Sequence, residues 1–211
     1  MKQYSEYRKS ALNALEGNWA KLCGIYVLYL VISMCVVEGS SLPLSPLGMG
    51  WKLLGNLCYL FLLPMTMSIY TTCLKTYRKT NVEVFQELFG YYSTRVWTTI
   101  FLKQVYLVLW SLLLVIPGII KSYSYSLTEF ILLDEPELSN NAAIERSMAM
   151  MNGHKKQMFF LDLTFIGWAI LALLTFGLGF ILLTPYAVTA RAALYEDIKA
   201  EWQASHTTAE V

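Results

Sequence analysis

Residues 158–194 read MFFLDLTFIGWAILALLTFGLGFILLTPYAVTARAAL, and this stretch decides the fold class. Two apolar runs, Met158 to Phe176 and Leu178 to Leu194, meet at Phe176-Gly177-Leu178-Gly179, where glycine permits the positive φ of a tight reversal. A helix needs roughly 20 apolar residues to cross about 30 Å of hydrocarbon, and both runs are of that order. The stretch reads as a helical hairpin in lipid.

Working outward, the same criterion selects Leu22 to Val37, Leu53 to Leu74, Val96 to Ile116 and Gly118 to Leu133, the first and last of these being short. Ile116-Pro117-Gly118 marks a second hairpin point, because proline lacks the helix donor. Glu38 to Gly50, rich in Gly, Ser and Pro and without Lys or Arg, reads as a connecting loop. Composition agrees: of 211 residues 56% are hydrophobic and 15% charged, with mean hydropathy +0.46, too apolar for an ordinary soluble domain. The expected fold is all-α, a polytopic helical membrane protein with about six transmembrane helices, five being the alternative, plus short amphipathic surface helices. Residues 1–21 form an interfacial helix in this reading, 22–196 the transmembrane domain and 197–211 a polar tail. No segment carries an A-x-A-like cleavage site, so the first apolar run is expected to stay as an anchor.

Orientation follows from the cations, which accumulate on the cytoplasmic side of a membrane protein. Six spans put thirteen of the sixteen lysines and arginines on one side, with both termini inside. The exceptions are Lys52, Lys103 and Lys121, whose long stems can carry the ammonium to an interface. Lys103 strains the pattern most. Five spans would place Arg146, Lys155, Lys156, Arg191 and Lys199 outside, against the charge rule.

Two polar stretches read as surface helices. In residues 1–21, Tyr4, Tyr7, Ala11, Leu12, Leu15 and Trp19 fall near one side of a helix. Between the fourth and fifth spans, Asp134-Glu135-Pro136-Glu137-Leu138-Ser139 stops one helix and can cap the next, over about 139–152, which Gly153 ends. Ile144, Met148 and Met151 line one of its faces. Arg146, His154, Lys155 and Lys156 make it a candidate surface for anionic lipid or a protein partner.

Several motifs in order carry a resemblance: Pro117-Gly118-Ile119-Ile120-Lys121-Ser122-Tyr123-Ser124-Tyr125-Ser126, Ile131-Leu132-Leu133-Asp134-Glu135-Pro136, Ala143-Ile144 with Ser147, Met151-Asn152-Gly153-His154-Lys155, Phe165-Ile166-Gly167-Trp168, and Thr184-Pro185-Tyr186 with Tyr195. Over about residues 105–196 the chain resembles the bacterial membrane-protein family catalogued as domain of unknown function 975. That resemblance implies a multi-span protein of the bacterial cytoplasmic (inner) membrane, and it carries over no activity, ligand or catalytic residue.

Lys121, Glu129 and Asp162 are ionisable residues inside or beside predicted spans, where a charge at mid-bilayer costs about 2.5–3.5 kcal/mol. Lys121 and Glu129 are separated on one predicted helix by about 80° of turn and about 12 Å of rise, so both can face an interior without pairing directly. Glu129 can pair with Lys103 instead. Ser122, Ser124, Ser126 and Thr128 form small-xxx-small pairs suited to close helix packing. Cys23, Cys35, Cys58 and Cys73 show no C-x-x-C spacing and read as packing residues, and two histidines are too few for a histidine metal cage. No H-E-x-x-H, G-x-S-x-G or P-loop pattern occurs, so no enzyme activity, catalytic residue, metal or cofactor is expected. With a net charge of +1 nucleic acid is not an expected partner; membrane lipids, other membrane proteins or further copies of the chain are. The leading functional expectation is a non-enzymatic accessory, scaffold or regulatory component of the cell envelope. The alternative is a small transporter or channel with a polar route near Lys121 and Glu129.

Single cysteines at Ser45, Asn140 and Ser205, in a chain lacking the four native ones, report the topology in intact cells. Labelling by an impermeant maleimide at residue 45 alone is the six-span outcome; labelling at 140 and 205 as well means five.

Overall fold

The computed structural model describes residues 3–41, 62–91 and 93–207. These form eleven helices: α1 (Tyr4–Leu15), α2 (Trp19–Ser41), α3 (Met65–Tyr77), α4 (Val84–Phe89), α5 (Thr94–Leu113), α6 (Val115–Ser124), α7 (Thr128–Asp134), α8 (Asn140–Met150), α9 (Lys155–Leu163), α10 (Ile166–Leu174) and α11 (Phe180–Thr207). There is no strand among the described residues. Residues 53–61 of the second predicted span, with Cys58, lie outside them, as do Lys52 and 42–50 of the predicted loop. Its first residues, Glu38 to Ser41, are the end of α2.

Helix α11 is the axis of the bundle. Ala190, Ala192 and Ala193 on it are fully buried, and side chains this small let α1 and α3 approach closely. Pro185 sits inside α11 and removes the donor that Ile181 O would receive in an unbroken helix. Cys23 on α2 answers that carbonyl, its thiol donating at 3.6 Å. The packing role expected of Cys23 and Cys73 fits their free thiols.

Several sequence expectations shift by a few residues for local reasons. The α5–α6 break falls at Leu114, whose backbone is extended, and not at Pro117-Gly118. Pro117 stands in the first turn of α6, where an N–H would have no intrahelical partner anyway. A Cβ on Gly118 would lie 2.7 Å from Ser111 Oγ and 3.0 Å from its Cα, so glycine there allows α5 and α6 to touch. The α10–α11 reversal lies where expected, with Phe176 at φ 53° and Gly177 at φ 86°. Gly153, at φ 89°, follows α8 as expected, but Ser139 holds the N-cap position without capping through its side chain. The fourth predicted span is split between α6 and α7 by a turn at 125–127. The predicted polar tail is helical to Thr207 and buries Ile198.

Both surface helices bury part of their apolar faces within the bundle, and Leu12 of α1 stays exposed. Gly17, at φ 79°, ends α1, which buries Tyr7, Ala11, Ala14 and Leu15 against its neighbours, chiefly α11. Helix α8 buries Ala143, Ile144, Ser147 and Met150 and packs on α5 and α7.

Exposed apolar side chains collect at the helix reversals, where Leu112 is 84% exposed, Ile116 72% and Phe176 100%. Among the described residues one helix, Lys155–Leu174, is long and apolar enough to cross a membrane. A second is added if Tyr4–Leu15 and Trp19–Met34, bent by 93°, count as one span.

The opposite end of the bundle is tied by charge. Asp134, at the end of α7, accepts from Arg78 Nη1 at 2.6 Å and Nη2 at 2.7 Å, from Tyr195 Oη at 2.7 Å and from Lys199 Nζ at 2.5 Å. Arg95 donates to the carbonyls of Leu132, Glu135 and Leu138 at 3.1 to 3.2 Å, satisfying the acceptors that the end of α7 leaves open. Burial alone would raise the Asp134 pKa, but hydrogen bonds from Arg78, Lys199 and Tyr195 outweigh it and hold the carboxyl at about 2, below its ordinary 3.8. A depressed acid stabilises the fold above its unfolded pKa and loses that contribution as pH falls through the folded one. Asp134→Asn should therefore cost about 3 kcal/mol near neutrality by leaving two cations poorly paired. In thermal unfolding of the detergent-solubilised protein, the gap between variant and wild type should close from pH 4 toward pH 2.

Candidate functional site: a half-open polar chamber

A seven-residue helix after a break would be a weak element alone, yet α7 delivers Glu129 to the middle of the bundle. The turn at 125–127 restarts the helix at Thr128 and puts Glu129 in its first turn, where the helix dipole favours a carboxylate. Glu129 is 6% exposed. Its Oε1 accepts from Lys103 Nζ on α5 at 2.5 Å, and both side chains are nearly buried. Its Oε2 is buried and has no hydrogen-bond partner among the described residues. An unsatisfied buried acceptor costs about 1–3 kcal/mol, more for a charged group, so it calls for an explanation.

That oxygen belongs to a residue walling a cavity of about 350 Å³. The walls come from α3 (Thr66, Tyr70), α5 (Ile100, Lys103, Gln104, Leu107), α6 and the following turn (Ser122, Tyr123, Ser126), α9 (Met158, Asp162) and α11 (Arg191). A second ion pair closes one side: Arg191 donates through Nε to Asp162 Oδ1 at 2.9 Å and through Nη2 to Oδ2 at 2.8 Å. This forked geometry fixes both side chains. Tyr70, Asp162 and Arg191 also line a neighbouring cavity of about 300 Å³ with Phe165, Phe180, Leu183 and Thr184. The two cavities thus share the Arg191–Asp162 pair as a wall.

Of the candidate polar residues, Glu129 and Asp162 meet in this chamber and Lys121 stands apart from it. Lys121 Nζ lies 4.9 Å from the centre of the Trp110 ring and 3.8 Å from Met148 Sδ, a cation held over an aromatic face. The serine row divides likewise. Ser122 and Ser126 line the chamber, while their hydroxyls, like those of Ser124 and Thr128, bond back to carbonyls of the preceding turn. Arg146 pairs with Glu135 at 3.5 Å and lies over Trp202, His154 Nδ1 meets Gln157 Oε1 at 3.1 Å, and Lys156 is exposed.

Arg191 and Tyr70 are among the chamber residues that sequence reasoning missed. Arg191 counts there only as a cation near the last span, and Tyr70 only as part of the second. A charge three residues before the end of a predicted apolar span was the available signal for Arg191. Lys103, the cation that strained the charge rule, is the partner that Glu129 requires.

Broken helices around a half-open polar chamber define an all-α protein with two ion pairs on the chamber wall. The chain belongs to the family described as Protein of unknown function (DUF975), whose model matches residues 91–202 and so includes every chamber residue except Leu63, Thr66 and Tyr70. No match was found among curated proteins or among solved structures.

Removing half of a buried pair strands the other charge, whereas removing both halves does not. Lys103→Met should lower stability by about 3–5 kcal/mol, and adding Glu129→Leu should recover most of it. Thermal midpoints of the two single variants and the double variant measure the coupling.

Proposed function

We propose that this chain is a multi-pass protein of the bacterial cytoplasmic membrane, with both termini on the cytoplasmic side, that binds a small polar solute in the chamber and passes it across the bilayer. The observation that carries the reading is the Glu129 carboxylate, paired on one oxygen with Lys103 and unpartnered on the other beside a cavity large enough for a small solute. A ligand donating an N–H or O–H to Oε2 would give that oxygen the partner that no described side chain supplies. Amines and polyols have that chemistry. The second cavity beyond Arg191–Asp162 offers a continuation of the path, with the ion pair as the step between them.

Other features support the membrane setting. Exposed leucines, isoleucines and phenylalanines at the reversals suit hydrocarbon, and the Asp134 network with its cations suits the cytoplasmic interface. A discontinuous helix beside a midplane polar site is a recurrent design in transporters, because non-helical backbone is tolerated in a membrane where it lines a cavity. The accessory role expected from sequence rested on the missing catalytic motifs and the amphipathic surface helices; of those helices, α1 buries Tyr7, Ala11 and Leu15 and α8 buries Ile144 within the bundle, which leaves less apolar surface for a partner.

Purified protein reconstituted into vesicles and screened against amines, amino acids and polyols tests this reading. At least one solute should show saturable uptake that falls about tenfold or more in Glu129→Gln at unchanged thermal midpoint. A water-soluble solute of that kind should also protect Glu129 from an apolar carbodiimide. Absence of both uptake and protection across the panel overturns the proposal.

A further inference from the structure

A second cleft, distinct from the chamber, lies at the elbow of α1 and α2 where they meet α10 and α11. It encloses about 350 Å³, and its walls are almost wholly apolar: Leu12 and Trp19 on one side, Trp168 and Leu171 on the other. Its floor exists because side chains there are small. Ala172 and Gly179 face each other so closely that a Cβ on Gly179 would lie 2.6 Å from Ala172 Cα. From Gly179 to Tyr186 the cleft follows α11 for about 10 Å at helical rise.

One end is polar. Arg8 on α1 donates through Nε to Tyr186 Oη at 3.3 Å, and its guanidinium carbon lies 5.8 Å from the centre of the Phe165 ring. Among the described residues no carboxylate pairs with Arg8, so its remaining N–H donors are open to an anion. The 93° bend between α1 and α2 sets the level: with α2 along the membrane normal, α1 lies in the membrane plane, Arg8 at headgroup height and the apolar cleft toward the hydrocarbon.

We propose that this cleft is a binding site for an anionic phospholipid, with one acyl chain along α11 toward Gly179 and the phosphate held by the fork of Arg8. An arginine offers a phosphate two parallel hydrogen bonds, which a lysine does not, and the tyrosine hydroxyl that receives Nε orients the fork. Trp19 and Trp168 suit the amphipathic boundary between the two parts of the ligand. The inference rests on the membrane setting proposed above but not on solute transport.

Native mass spectrometry of the full chain, released from mixed phosphatidylglycerol and phosphatidylcholine micelles of matched acyl chains, counts the lipid retained. Wild type should keep one phosphatidylglycerol in preference to phosphatidylcholine. Arg8→Gln should weaken that retention about tenfold, the loss of one charge-assisted contact, with Arg8→Lys intermediate. Lys9→Gln removes the same charge from the same helix outside the cleft and should leave retention unchanged. Equal losses in Arg8→Gln and Lys9→Gln, no headgroup preference in wild type, or displacement by glycerol phosphate as effective as by intact lipid would each overturn the site. Failure of the protein to float with phosphatidylcholine vesicles would instead overturn the membrane setting.

Discussion

A carboxylate inside an apolar bundle must be answered by a cation, and the arrangement of helices α3, α5, α7, α9 and α11 can be read from where those answers come. Glu129 takes Lys103 from α5, Asp162 takes Arg191 from α11, and Asp134 takes Arg78 from the C-cap of α3 and Tyr195 and Lys199 from α11. Each pair joins helices distant in sequence. Apolar contacts supply most of the driving force for burial in water but are nearly indifferent to register in lipid, where tails are as apolar as leucine. Ion pairs are not indifferent, because a shift of one helical turn would strand a charge.

The pairs differ in how completely they are satisfied, and that difference separates scaffold from candidate site. Both Asp134 oxygens are occupied, and Glu87, 2% exposed on α4, is met by Lys75, Thr71 and Tyr91. These groups are closed, and they brace the end of the bundle. Glu129 alone among the three buried acids keeps an oxygen unpaired, and it does so beside a cavity. Tyr195 links the two regions, its ring stacked on Phe130 at 5.1 Å next to Glu129 and its hydroxyl on Asp134. Movement of α7 on binding would therefore be felt at the charged end.

Much of the helical layout was legible in the residues. The Phe176-Gly177 reversal, the extent of α8 and its end at Gly153, and the oddness of Lys103 all followed from composition and local chemistry. What was misplaced was misplaced for reasons a linear reading lacks. Pro117 looks like a breaker, but the first turn of a helix tolerates it, so the break slid back to Leu114. Periodicity gave α1 and α8 each an apolar face, but it says that a face is buried and not against what; part of each face lies on the bundle itself.

The sequence by itself determined the class of the molecule, all-α and apolar, with the reversals near their places and the family to which it belongs. These depend on local properties: glycine at positive φ, apolar runs of helical length, and charges that avoid them. Tertiary structure alone decided that Glu129 and Asp162 share a chamber, that Lys121 does not, and that Arg191 and Tyr70 complete its wall. The physical reason is the turn at 125–127. It breaks the helix that would have set Lys121 and Glu129 at a fixed angle, and the direction of α7 beyond it is set by the partners its carboxylates find across the bundle.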